Sequence, residues 1–260
     1  MITTRRIGAL ARAEAVLLRR NPTALGGALV LPAVLALLPA FGSDSPVVRD
    51  SGLAVMIVLG LSVFTLTFGV YYNLVTALVA RREEFVLKRL RTGEISDGEI
   101  LAGTAAPVVA IAWFQIAVGV VAGFFLDRRA PSNPLLVLVA IGLGTVLCIL
   151  LAAAVTVVTS TVSVAQLTAT PLVVVSQLLC GVMIPLDTLP DPVGALVPYL
   201  PMNAVVTLIR LGLTGTTPSG ETLGLVAQLG SAVVPVIVLG VWIVGVGAIV
   251  QRWFRWEPRR

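Results

Sequence analysis

Histidine is absent from this 260-residue chain, and lysine occurs once, as Lys88. The first absence removes serine–histidine catalysis, histidine metal ligation and a histidine proton switch. The second removes a phosphate-cradling G-x-x-x-x-G-K-[ST] loop, because Lys88 stands in Leu87-Lys88-Arg89-Leu90 with no glycine run before it. Cysteine is scarce as well. Cys148 and Cys180 both sit in apolar runs, where a thiol reads as a small buried hydrophobe. Charge is thin, at 12% of residues against 57% hydrophobic. No acidic or basic residue stands in the middle of a long apolar run, which disfavours an ion-pair proton relay inside a membrane.

What remains is apolar length. Mean hydropathy is +1.01. Runs of 18 or more apolar residues recur, each enough to cross a hydrocarbon core of about 30 Å. They are continuous rather than alternating, so helices are expected and a β-barrel is not. The candidate spans are about 23–41, 53–80, 104–126, 134–160, 164–184 and 227–250. The first, with its basic leader and small residues near 40–43, also has the outline of a signal peptide. Its apolar run is long for that role, and an uncleaved anchor is expected.

Basic residues set the orientation. Arg5, Arg6, Arg12, Arg19 and Arg20 precede the first span. Arg81, Arg82, Lys88, Arg89 and Arg91 follow the second, and Arg252, Arg255, Arg259 and Arg260 follow the sixth. If six spans alternate, all of these share one side, and only Arg49, Arg128, Arg129 and Arg210 face the other. The expectation is therefore an all-α integral membrane protein with six transmembrane helices and both termini in the cytoplasm. An interfacial segment (1–22) would precede a six-span domain (23–250), and a basic tail (251–260) would follow it. In the leader, Ile7, Leu10, Ala11 and Leu17 could face lipid while arginines face water or headgroups. The longest connection, 185–226, is proline-rich and faces outward. It is expected to fold back on the membrane or dip into it, where irregular backbone must be buried in protein or face water.

One window breaks the pattern. Residues 81–100, RREEFVLKRLRTGEISDGEI, carry 10 charges. Placed on one helix, Val86, Leu87 and Leu90 share a face with Glu83, while Arg81, Arg82, Phe85, Lys88 and Arg89 lie opposite. Glu84 and Lys88 stand in the favourable i, i+4 order. Thr92-Gly93 would end this helix, and Ser96 with Glu99 has capping-box spacing for the next. The plain reading is a solvated loop that obeys the positive-inside rule. The sharper reading is a docking helix for a cytoplasmic partner, favoured by the mixed signs, the exposed Phe85 and two helical pieces where a simple linker needs a few residues.

The stretch EEFVLKRLRTGEISDGEILAG (83–103) resembles the first inner loop of membrane subunits of ATP-binding-cassette exporters of the type-2 permease family. A second resemblance lies at 181–213, through Gly181, Pro185, Leu189, Pro190, Pro201 and Arg210. The resemblance implies a permease subunit, in the manner of daunorubicin-resistance permeases. It would pair with a second permease subunit, as homodimer or heterodimer, and with separate ABC ATPase subunits. ATP and Mg would bind those partners, and no cofactor would bind this chain. Segment 81–92 would be the coupling helix, with Arg82, Glu83, Glu84, Phe85, Lys88, Arg89, Leu90 and Arg91 meeting the ATPase. The implied setting is a bacterial cell membrane, the implied role efflux or antibiotic resistance, and nucleic acid is not an expected partner.

Polar groups within the spans have two readings. Thr67, Asn73, Ser176 and Gln177 could line a path for an amphipathic substrate between the second and fifth spans, or could serve helix–helix hydrogen bonding. Gly119 and Gly123 have close-packing spacing, toward lipid or within the chain. An intramembrane enzyme or a non-transporting scaffold are the alternative functions. The missing histidine and mid-membrane carboxylates count against the enzyme.

Overall fold

A computed structural model describes residues 2–38, 52–91, 95–128, 130–184, 186–217 and 221–254. The expected helix stop at Thr92-Gly93, Pro185 and Pro218, Arg49 and Arg129, and the tail arginines from Arg255 onward lie outside them. Among the described residues the regular elements are helical, apart from an isolated bridge between Thr216 and Thr222.

Helix α1 (Ile2–Arg20) is followed by α2 (Pro22–Ala36), and Asn21 separates them by accepting a hydrogen bond from Ala24 N–H at 3.1 Å. Pro22 then opens α2, where its missing N–H costs nothing. Helix α3 runs through Leu53–Glu83 and contains a π-helical stretch, Thr65–Tyr72. The short α4 is Val86–Arg91. Helix α5 (Asp97–Asp127) opens on the expected capping box: Ser96 Oγ accepts from Glu99 N–H at 3.3 Å, and Glu99 accepts from Ser96 N–H at 2.7 Å. Then come α6 (Pro134–Thr156), α7 (Val162–Leu178), the single turn α8 (Asp191–Gly194), α9 (Pro201–Thr214) and α10 (Leu225–Trp253).

Among the described residues four helices, α3, α5, α6 and α10, are long and apolar enough to cross a membrane. Helices α2 and α7 are apolar but shorter, at 15 and 17 residues. The proline-rich connection contains a helical pair, Asp191–Tyr199 and Pro201–Thr214, bent by 71°. The break falls at Leu200, before a proline that biases it to extended backbone.

Helix α3 is the centre of the bundle. Met56, Leu59, Val63, Leu66, Val70, Tyr71, Leu74, Leu78 and Val79 are all buried, so it meets protein on nearly every side. The outer helices do the reverse. Phe114, Val118, Val121 and Phe125 of α5 and Val233, Ile237, Val241 and Val244 of α10 are more than half exposed. Apolar faces this long are unstable in water and fit a lipid surround.

Small residues decide how closely helices approach. A Cβ on Gly119 would stand 2.5 Å from Leu61 Cδ2, and one on Gly123 would stand 3.1 Å from Val58 Cγ2. The pair at 119 and 123 therefore packs α5 against α3 within the chain. Leu10 lies over Gly103 of α5, so it packs on protein, where the sequence pattern had it facing lipid. Among the described glycines, Gly212 is the tightest position against backbone. A Cβ there would fall 2.9 Å from Asn133 O and 3.0 Å from Val137 N at the start of α6. Neither atom can swing aside as a side-chain tip can. Gly212→Ala is expected to lower stability by about 1–3 kcal/mol, read as a lower melting temperature of the purified protein in detergent.

Candidate functional site

The charged island is two pieces, not one helix. Helix α3 ends at Glu83, a turn occupies Glu84 and Phe85, and α4 begins at Val86. Phe85 has φ 59°, a left-handed conformation that costs a bulky residue roughly 1–2 kcal/mol. The break rotates α4 relative to α3, so the single-helix assignment of faces does not hold across it.

Three consecutive side chains at the end of α3 reach three different places. Arg81 forms a two-pronged pair with Glu14 of α1, Nε to Oε1 at 2.9 Å and Nη2 to Oε2 at 3.1 Å. Its Nη1 also meets Glu84 at 2.9 Å. Arg82 turns inward and is 1% exposed. Its Nη1 donates to Thr156 O at 2.7 Å, and its Nη2 donates to Thr159 O and to Ser160 O at 3.4 Å. These carbonyls lie at the C-terminal end of α6 and in the turn beyond it, where a helix presents partial negative charge. Glu83 Oε1 accepts from Val162 N–H at 3.3 Å, the first amide of α7, whose N-cap Thr161 makes no side-chain cap bond. Sequence geometry set Arg82 beside Arg81 and Phe85 on an open face; the structure buries it against α6.

Helix α4 seats on the bundle through Leu87, which is 1% exposed and packs with Ile100 of α5, with Leu90, Ile95 and Phe254 around them. Facing outward are Phe85, 51% exposed, and Arg89, whose Nη2 donates back to Glu84 O at 3.0 Å. Glu84 is also exposed. Lys88 and Arg91 belong to the same helix.

The span polar groups fall into separate places. Gln177 Nε2 donates to Thr67 Oγ1 at 2.6 Å, and Thr67 donates in turn to Val63 O at 2.7 Å. Both residues are buried, and the bond ties α7 to the π-helical part of α3. Ser176 borders a small depression against the start of α9. Asn73 follows the π-helical stretch, and its Nδ2 donates to Phe68 O at 3.0 Å. Its side chain lines a cleft of about 630 Å³ among α1, α2, α3, α5 and α7. Phe68, Tyr72, Leu31 and Val108 supply apolar wall; Asn21, Gln166 and Arg20 supply polar groups. The Glu14–Arg81 pair borders the same cleft, so the cleft opens beside the charged island.

Sequence reasoning missed Glu14, Thr156, Thr159 and the π-helical stretch. Glu14 gave one faint signal, a lone acid inside an otherwise basic helix. The two threonines act through backbone carbonyls, which every residue has. Among the described residues, no group of three or more metal-ligating side chains comes together.

A comparison with curated proteins found no match. A family model described as ABC-2 type transporter matches residues 5–214, from α1 to the end of α9. It spans the charged island, the cleft and the bent helical pair, and it accords with several apolar helices around a buried central one. The chain belongs to the ABC-2 type transporter family, as a multi-pass membrane protein.

Proposed function

We propose that this chain is the permease subunit of an ATP-driven exporter that moves a small hydrophobic or amphipathic compound out of a bacterial cell. The family association is with an ABC ATPase subunit, which supplies the nucleotide chemistry. Two permease subunits pair above it, identical or sister chains. Helices α2 and α7 complete six spans, and the bent pair at 191–214 is a re-entrant hairpin on the outer side. That reading keeps all three basic clusters on the cytoplasmic side, which a seventh full crossing at 191–214 would prevent.

The observation that carries the reading is the tip of the inner loop. Phe85 holds an unfavourable backbone angle and is still left half exposed beside Arg89 and Glu84. Strain that persists at an exposed apolar residue favours a partner over a solvated loop. The docking face is then centred on Glu84, Phe85 and Arg89, on the segment that also carries Lys88 and Arg91. Arg82, Glu83 and Leu90 stand behind it. Residues Thr67, Asn73, Ser176 and Gln177 mark the substrate path between α3 and α7, entered from the cleft at Asn73. An amphipathic molecule suits that cleft because its walls are apolar and its border polar.

The test is co-expression with the ABC ATPase subunits of the source organism, followed by purification on a tag carried by the permease. The ATPase is expected to co-purify, and its ATP turnover to rise in the complex. Failure of every one of them to bind would overturn the reading.

A further inference from the structure

The Arg82–Glu83 dipeptide does something that docking does not require. Helix α6 ends at Thr156 and α7 begins at Val162, so a short turn joins them on the island's side. Arg82 places a cation on the negative end of α6, and Glu83 places an anion on the positive end of α7. The turn is braced from within by Thr159 and Thr168, whose hydroxyls meet at 2.8 Å. Arginine suits this task better than lysine, because its planar fork can address several carbonyls at once. Burying a guanidinium to 1% exposure is costly, and three carbonyl acceptors offset that cost. Helix α4, for its part, meets the bundle through α3 and α5.

We propose that Arg82 and Glu83 are positioning residues that fasten the α6–α7 turn to the end of α3, so that a displacement of α4 is delivered to α7. This rests on the reading that α4 is where the ATPase docks. The clamp joins opposite charges to opposite helix ends, so the turn resists both pulling and pushing along the helix axes. Helix α7 carries Ser176 and Gln177, and Gln177 is bonded to Thr67 of α3. A movement of α3 and α7 together keeps that bond; a movement of α3 alone breaks it.

The test uses the full complex in lipid nanodiscs. Leu167, 74% exposed on α7, is replaced by cysteine as a reporter, while the buried Cys148 and Cys180 stay in place. Its rate of modification by a membrane-permeant maleimide is measured with and without ATP and vanadate. In the reporter chain the rate is expected to change with nucleotide. Adding Glu83→Leu, which removes the acceptor, should shrink that change at least threefold while the ATPase still co-purifies and turns over. Glu83→Gln keeps an acceptor oxygen and should retain most of the change. Arg82→Met should behave as Glu83→Leu does; if it fails to fold, the Glu83 pair decides. Several results would overturn the clamp. One is a full nucleotide effect in Glu83→Leu. Another is a parallel fall in melting temperature, ATPase binding and nucleotide effect, the mark of a fold contact only. A reporter chain that binds its ATPase but shows no nucleotide effect also overturns it. A reporter chain that binds no ATPase sinks the docking reading as well, which separates the two failures.

Discussion

A chain carrying Glu84→Lys, Lys88→Glu and Arg89→Glu together is expected to lose its ATPase in co-purification, by tenfold or more. Charges at an interface select partners, and like charges set against each other cost several kcal/mol, where about 1.4 kcal/mol is already tenfold. The fold should survive the change, because Glu84 and Arg89 are exposed and α4 is held by Leu87 beneath. Two internal contacts are at risk, the bond from Arg81 to Glu84 and the bond from Arg89 to Glu84 O, and both lie at the exposed turn. Arg81 keeps its two-pronged pair with Glu14, so α1 stays attached. Glu84→Gln alone is the control: it removes the charge of that contact and should leave ATPase capture within a few fold. Unchanged capture and unchanged ATP turnover in the triple variant would place the docking face elsewhere.

Arg82→Ala is expected to be the most damaging single change in the island. It leaves Thr156 O, Thr159 O and Ser160 O without their cation, and Thr156 and Thr159 are buried. Leaving a buried carbonyl without its donor costs about 1–3 kcal/mol, and at least two are left so here. In a protein of this size that lowers the melting temperature by on the order of 10 °C. Arg89→Ala is the matched comparison, an exposed arginine seven residues away, and should shift stability by less than about 0.5 kcal/mol. Thermal unfolding of both variants in one detergent gives the result. Equal, small shifts would mean that the α6–α7 turn does not depend on Arg82. Composition treats these two arginines as alike, and the fold separates them.

Much of the architecture is legible in the residues. The apolar runs locate α3, α5, α6 and α10 within a few residues, because spanning a hydrocarbon layer leaves a long uncharged signature. The start of α5 is legible too, since Ser96 and Glu99 satisfy each other's backbone amides at close range. Local rules of this kind act within a few positions, so the sequence carries them directly. The bent pair at 191–214 is announced by its prolines, but its packing is not, because Gly212 meets α6 backbone nearly 80 residues upstream.

The island shows where legibility ends. Its charge and place between apolar runs are sequence facts, and they are enough to set it at the membrane's edge. A helical wheel then assumes one unbroken helix, and the left-handed Phe85 breaks it. Arg81, Arg82, Glu83 and Glu84 read as one run of surface charge. In the folded chain they separate into a brace to α1, a cap on α6, a cap on α7 and an exposed acid. The sequence alone determined that this is a helical membrane protein with a charged loop between apolar runs, because hydrophobic length and charge placement are additive properties of residues. Only the tertiary structure decided which charges face outward and which hold helix ends. The partners of Arg82 and Glu83 are backbone carbonyls and an amide more than 70 positions away, and backbone groups are the same in every residue.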